Sequence, residues 1–317
     1  MTYLRFLRRD RSRSRAGKAL VALAIAGCAA LAGEREGEAF CRSTTCSGEC
    51  PRDEDGCKTT GEKLFWASKC VGFSLQEDGT ANLPMEQVRP VIEQGFLAWT
   101  DLPCDVGAAS IAFAPLDDVA CRKAEYDPEG PNANVVLFQD TKWDYSGAEN
   151  NLAKTTVTYD TDTGEIFDAD IEINFAFNEL TVGDDAIVFD LGSLVTHEIG
   201  HFIGLDHTPD PLATMFAGYE EGSAIQRTLE DDDLAGVCAA YPPGRDAACE
   251  PQPRNGLGDA CAGEGEEAGD SGGCAAAASG PRDVDSSSRR GGAGALLCAA
   301  AMLWATRARR SRRRSGD

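Results

Sequence analysis

Histidine is the scarcest residue of this chain: three in 317, all between positions 197 and 207. No histidine is left elsewhere to serve as a general base or acid, so a metal-free site built on a distant histidine partner is excluded. Basic residues are also few in the middle of the chain. Residues 34–288 carry 15 Lys and Arg against 50 Asp and Glu, a net charge near −35, whereas the whole chain stands at −22. A surface this acidic repels the phosphate backbone, which excludes nucleic acid as a partner. It suits solubility outside the cell and hard cations such as Ca²⁺, although a solvated acidic face is explanation enough. No apolar run reaches the roughly 20 residues of a lasting membrane-spanning helix. Cysteines 41, 46, 50 and 57 are separated by four, three and six residues, without the C-x₂-C pairing that marks a zinc ribbon. No internal repeat is present.

The ends carry sorting information. Residues 1–18 hold seven basic side chains and precede an apolar run from Ala19 to Ala32, the layout of a bacterial-type export signal. Two processing points compete: Ile25-Ala26-Gly27-Cys28 resembles a lipoprotein signal with a lipidated Cys28, and Ala30-Leu31-Ala32 suits cleavage before Gly33. At the other end a 13-residue apolar run, 294–306, lies between Arg289-Arg290 and an arginine cluster at 307–314. With Cys274 upstream, this resembles a C-terminal sorting tail of the Myxo-CTERM type; the alternative is a weak C-terminal membrane anchor. The chain is therefore expected outside the cell or on its outer surface. Setting aside Cys28, Cys274 and Cys298 leaves ten cysteines, an even number that predicts up to five disulfides of undetermined pairing.

Composition divides the chain into an export signal (1–33), a Cys-rich N-terminal extension (34–63), a globular domain (64–243), a Gly/Ala/acidic flexible linker (244–290) and the apolar, Arg-rich tail (291–317). Within the domain, Val88, Val91, Ile92, Phe96 and Trp99 recur near a 3.6 spacing. They predict a helix with Pro84 at its first position and a kink at Pro90. "SIAFAP", "NVVLFQ", "AKTTVTYD" and "IFDADIEINF" read as strands, the last two joined by a hairpin turn at Asp160-Thr161-Asp162-Thr163-Gly164. Asp190 should cap a helix reaching about Gly204, and Thr228, with Asp231 three residues on, should cap another ending near Tyr241. The expected fold class is α+β.

The stretch "HEIGHFIGLDH" carries the chemistry. His197 and His201, four apart on a helix, present two imidazoles on one face. Gly204 allows the helix to stop and the chain to turn back, so that His207 can return as a third ligand. Three imidazoles leave one position of a tetrahedral Zn²⁺ open for water, the arrangement of a catalytic metal. Glu198, beside the metal but not on it, would take the proton of that water and pass it to a leaving amine.

This stretch, followed by "TPDPLATMF", resembles the metzincin zinc endopeptidases and specifically the matrixins. The resemblance implies a twisted mixed β-sheet with three main helices and the zinc in a cleft. Met215 matches the Met-turn beneath the metal, and Tyr219 falls where the family lines its S1′ pocket. "LEDDDLAGVCAAY" is similar to the family's C-terminal helix, with Asp232, Asp233 and Gly236 in place. "NLAKTTVTYD" resembles the edge strand on which matrixins lay an extended substrate, so Ala153 and Thr155 are implied as substrate-binding. Animal matrixins hold a second zinc on further histidines, which this chain lacks, and their propeptide P-R-C-G motif has only Cys50-Pro51-Arg52 to compare; Cys50 is read as a disulfide partner. For calcium, Asp160, Asp162, Asp168, Asp170 and Glu172 could supply oxygens, but the Asp160 loop fails the EF-hand pattern. The expected partners are a protein or peptide substrate and the cell surface, the chain acting as a monomer. The rival reading is a catalytically silent surface module that binds a protein partner through the same fold.

Overall fold

The computed structural model describes residues 40–258 and the backbone of 293–298. The segment read as an export signal and most of the C-terminal tail lie outside the described residues. A period of two along the strands decides which side of the sheet is dry. In β6 (Ile166–Asn174), Ala169, Ile171 and Ile173 face the main core, while Asp168, Asp170 and Glu172 alternate with them onto the opposite side. The preceding strand β5 (Ala153–Asp160) pairs antiparallel with it through the expected turn. Gly164 closes that turn with φ of 78°, and the Asp160 carboxylate accepts from the amides of Asp162 and Thr163.

β2 (Cys70–Leu75), β3 (Ala112–Pro115) and β4 (Val135–Gln139) run parallel to β6, giving the order β5-β6-β4-β2-β3. The segment Ala293–Cys298 (β10) pairs antiparallel along the outer side of β5, from Asp160 opposite Ala293 to Thr155 opposite Cys298. β5 is therefore flanked on both sides, which corrects the reading of it as the sheet's edge.

Two helices fill the buried face. α1 (Met85–Ala98) brings Val88, Ile92 and Phe96 onto the sheet, with Phe96 stacked on Phe73 at 3.8 Å between centroids. Pro84 is the residue before α1 rather than its first position. α2 (Leu191–Phe202) crosses it, and Gly95 permits the close approach. The indole of Trp99, at the end of α1, donates to the carbonyl of Thr196 at 2.9 Å, so this buried polar group is satisfied. α3 (Asp231–Ala240) closes the domain. Three helices over a mixed sheet make this an α+β metzincin-like fold. The cap of α3 is Glu230, in a reciprocal box with Asp233; Thr228 instead ends the short 3₁₀ turn Ile225–Arg227.

Neither β2 nor the path of residues 40–63 is legible in the sequence. β7 (Leu180–Thr181) and β8 (Phe189–Asp190) pair in parallel, and β1 (Cys41–Arg42) pairs antiparallel with β9 (Leu205–Asp206), immediately before His207. Disulfides Cys41–Cys57 and Cys46–Cys50 tie this extension together, so Cys50 is a disulfide partner. Cys104–Cys238 and Cys70–Cys249 hold the far ends of the domain, and Cys121 is also disulfide-bonded. Residues 245–257, at the start of the stretch read as linker, lie on the domain: Lys69 N donates to Ala248 O, and Leu257 forms a β-bridge with Asn132. Among the described residues no helix is long and apolar enough to cross a membrane.

Candidate metal centre

Asp190 starts the site. Its carboxylate accepts from Ser193 N at 2.6 Å, capping α2 as expected, and also receives Arg227. From that start, His197 and His201 fall on one face of the helix one turn apart. The chain then leaves the helix through Gly204, whose φ is 84°. A Cβ there would sit 2.5 Å from the carbonyl oxygen of Leu64, so only glycine lets the segment 40–64 pack against the turn. His207 returns from β9 to face the other two.

The three Nε2 atoms converge. His207 Nε2 is 3.2 Å from that of His197 and 3.1 Å from that of His201. Tetrahedral coordination at 2.0–2.1 Å sets its ligands about 3.3 Å apart, close to what is found. On the two helical histidines the other ring nitrogen is committed: His197 Nδ1 donates to Thr214 O at 2.7 Å and His201 Nδ1 to Leu205 O at 3.0 Å. Those bonds fix the tautomer in which both Nε2 atoms carry lone pairs toward one point. Two lone pairs and a third imidazole nitrogen crowd together without enough protons to satisfy them, a donor set that a cation completes. Among the described residues these three are the group that could hold a metal ion. Burial, then the neighbouring imidazoles, push His197 well below the ordinary histidine range. Burial, with His201 next, lowers His207 to about 3. Both imidazoles are therefore neutral at physiological pH, the form that can bind a metal.

Glu198 is buried, and its carboxyl is raised above the usual range by burial, with His201 and a hydrogen bond from Thr155 acting the other way. Thr155 Oγ1 donates to Glu198 Oε2 at 2.6 Å. Both Ala153 and Thr155 are buried on the inner side of β5, so only their backbone is available to anything lying alongside that strand.

Met215 lies beneath the histidines. A Cβ on Gly200 would come within 2.1 Å of its Sδ, so the glycine between the two helical histidines makes room for the methionine. The turn that carries it is held by Asp233, whose two carboxylate oxygens accept from Thr214 N at 2.8 Å and Met215 N at 3.0 Å. Gln226 adds a bond to Thr214 O at 3.2 Å and to Phe216 O at 2.8 Å. Asp233 is part of a motif visible in the sequence, although its role is not; Gln226 leaves no sequence signal at all. Tyr219 packs its ring 5.6 Å from that of His197 and donates to Ser193 O at 3.1 Å.

The acidic residues considered for calcium are spread over several partners. Asp160 serves its own turn. Glu172 accepts from Tyr145 Oη at 2.5 Å and Gln139 Nε2 at 3.0 Å, with Lys154 Nζ at 3.6 Å. Asp170 accepts from the amides of Val135 and Glu125 and shares a hydrogen bond with Asp168. Burial drives both of the latter carboxyls upward, Asp170 to about 8.

Comparison with known proteins agrees with this geometry. The family model described as Matrixin matches residues 65–242. Matrix metalloproteinase-C of Caenorhabditis elegans is 22% identical over 189 residues, covering 58% of this chain and 30% of that protein. Human matrix metalloproteinase-20 is 38% identical over 55 residues, 17% of this chain and 11% of the relative. Human matrilysin is 39% identical over 46 residues, 14% of this chain and 17% of the relative. The chain thus spans less than a third of the length of these curated relatives.

Proposed function

This chain belongs to the matrixin family, and from that membership we propose that it is a zinc-dependent endopeptidase, with His197, His201 and His207 as the ligands and Glu198 as the general base. The observation that carries the proposal is the convergence of three Nε2 lone pairs, two of them locked by Nδ1 bonds, next to a buried carboxylate. Zinc, when bound, would supply a Lewis acid that polarises the scissile carbonyl and acidifies a water.

The protein's own share is positioning and proton transfer. Thr155 engages Oε2 of Glu198, which leaves Oε1 as the oxygen to take the water's proton and deliver it to the leaving amine. Met215 and Asp233 hold the floor on which His197 rests. Tyr219 would form one wall of the pocket for the residue after the scissile bond, and the backbone of Ala153 and Thr155 would pair with an extended peptide. Such pairing takes the place that Ala293–Cys298 occupies, so the substrate must displace that segment. Four disulfides among the described residues support folding in an oxidising compartment, in keeping with an exported, surface-attached protein acting on protein or peptide substrates as a monomer. For calcium, Asp168 and Asp170 are the carboxylates that would serve.

The test is metal analysis and hydrolysis of unstructured casein by the purified chain, with and without chelator, beside Glu198→Ala. One zinc per chain, chelator-sensitive cleavage, and loss of cleavage with zinc retained in E198A are expected. Zinc binding without cleavage in the wild type sinks the proposal.

A further inference from the structure

The disulfide-tied extension places a cation beside the zinc ligands for which the mechanism has no use. β1 pairs with β9, so Cys41 and Arg42, at the start of this extension, lie against the two residues before His207. Within that extension Arg52 and Lys58 are directly opposite in an antiparallel bridge, backed by Asp53 N to Cys57 O and Thr59 N to Pro51 O. Directly opposed residues project to the same side, about 5 Å apart. Lys58 shows which side that is: its Nζ is 3.3 Å from Oδ2 of Asp206, whose Oδ1 accepts from His207 N at 2.9 Å.

The two are not equivalent. Lys58 is largely buried and neutralised by Asp206. Arg52 is exposed, its guanidinium bonds only the carbonyl of Gly56, and among the described residues no carboxylate comes within ion-pair distance. Arg42, Arg245 and Arg254 also lack an acidic partner among the described residues, but Arg42 and Arg245 each bond several groups and Arg254 stacks on Phe167, whereas Arg52 keeps most of its donors open beside the metal ligands. The disulfides Cys46–Cys50 and Cys41–Cys57 bracket it, so the guanidinium is presented from a stiff loop and loses little freedom on binding. A guanidinium is suited to two-point recognition of a carboxylate.

We propose that Arg52 forms a cationic subsite next to His207 that receives an acidic side chain of the substrate, giving selectivity for Asp or Glu at one position near the scissile bond. The proposal rests on the endopeptidase reading above. The rest of the surface repels acidic chains, so the gain is confined to a single position: one well-placed carboxylate helps, and a run of them does not.

The experiment uses the full chain and a neutral parent peptide into which a single Glu, or a single Lys, is walked through the positions flanking the cleavage point. Relative kcat/KM is measured for wild type, Arg52→Ala and Arg52→Glu, with zinc content and melting temperature recorded for each. Wild type should favour Glu at one position roughly two- to fivefold, the size of an exposed ion pair, and less at high salt. That preference should vanish in R52A and turn toward Lys in R52E. Absence of the preference in wild type, or its survival in R52A, overturns the subsite while cleavage of the neutral parent keeps the endopeptidase reading intact. If zinc is bound and even the parent peptide is untouched, the endopeptidase reading fails and the subsite with it.

Discussion

Thr155 Oγ1 lies 2.6 Å from Oε2 of Glu198, joining the hairpin strand to the helix that bears two of the histidines. Thr155→Val keeps the shape and removes the donor. A hydrogen bond to a charged group contributes about 1.5–3 kcal/mol, so kcat/KM on a peptide should fall roughly tenfold or more while zinc content stays at one. Undiminished activity would show that Glu198 is positioned without Thr155.

Gly200 is packed against Met215. Gly200→Ala would drive a methyl group into the thioether, where Cβ and Sδ would stand 2.1 Å apart. Overpacking of this kind costs about 1–3 kcal/mol, and the strain falls on the floor of the metal site. Urea unfolding should shift to lower denaturant and zinc should be lost more readily to a chelator. Gly200→Ala paired with a smaller residue at 215 should recover part of both.

The buried pair Asp168 and Asp170 makes stability depend on pH. Both carboxyls are raised by burial, Asp170 to about 8, whereas an unfolded aspartate titrates near 3.8. The folded state therefore binds protons more tightly than the unfolded state. The associated stability is complete below about pH 4 and is lost as pH rises toward 8. Denaturation midpoints in the metal-free protein should fall across that window, and Asp168→Asn should flatten the slope. A calcium-dependent rise in the wild-type midpoint at pH 8, absent in D168N, would identify the pair as a cation site.

Cys70–Cys249 joins residues 179 apart in sequence and fastens the segment beyond α3 to β2, the strand next to the edge strand β3. Replacing both cysteines by serine should cost about 2–5 kcal/mol of stability, read from urea unfolding. Cys46–Cys50, which spans four residues, should matter far less to the global midpoint.

A chain ending at residue 258 lacks the strand that covers β5. If peptides add to that strand, KM for an extended peptide should be lower than in the full chain, with kcat little changed. Equal KM values would mean that substrate binds elsewhere.

The parts of this molecule that were legible in its sequence are those whose cause is local. The hairpin at Asp160, the helix over Val88 to Phe96, the Asp190 cap and the eleven-residue histidine motif each follow from spacing within one element. The strand Cys70–Leu75 was missed because six residues buried on both faces show no alternation to read. The cap of α3 was misplaced because three residues near its start, Thr228, Glu230 and Asp233, all carry capping side chains, and only the fold decides between them. Pairing of Cys41–Arg42 with Leu205–Asp206 joins segments more than 160 residues apart and leaves no trace in either. The same is true of the role of Thr155: its pattern marks a strand, while its partner sits on a helix 43 residues away.

That long-range pairing has a consequence for biosynthesis. Residues 41 and 42 emerge early, yet their partner strand is translated only after most of the domain, and Thr214, Met215 and Asp233 later still. No nascent chain that stops short of Asp233 can assemble the metal centre as the structure shows it. For an endopeptidase, as proposed above, activity could not appear before the chain through Asp233 has been made.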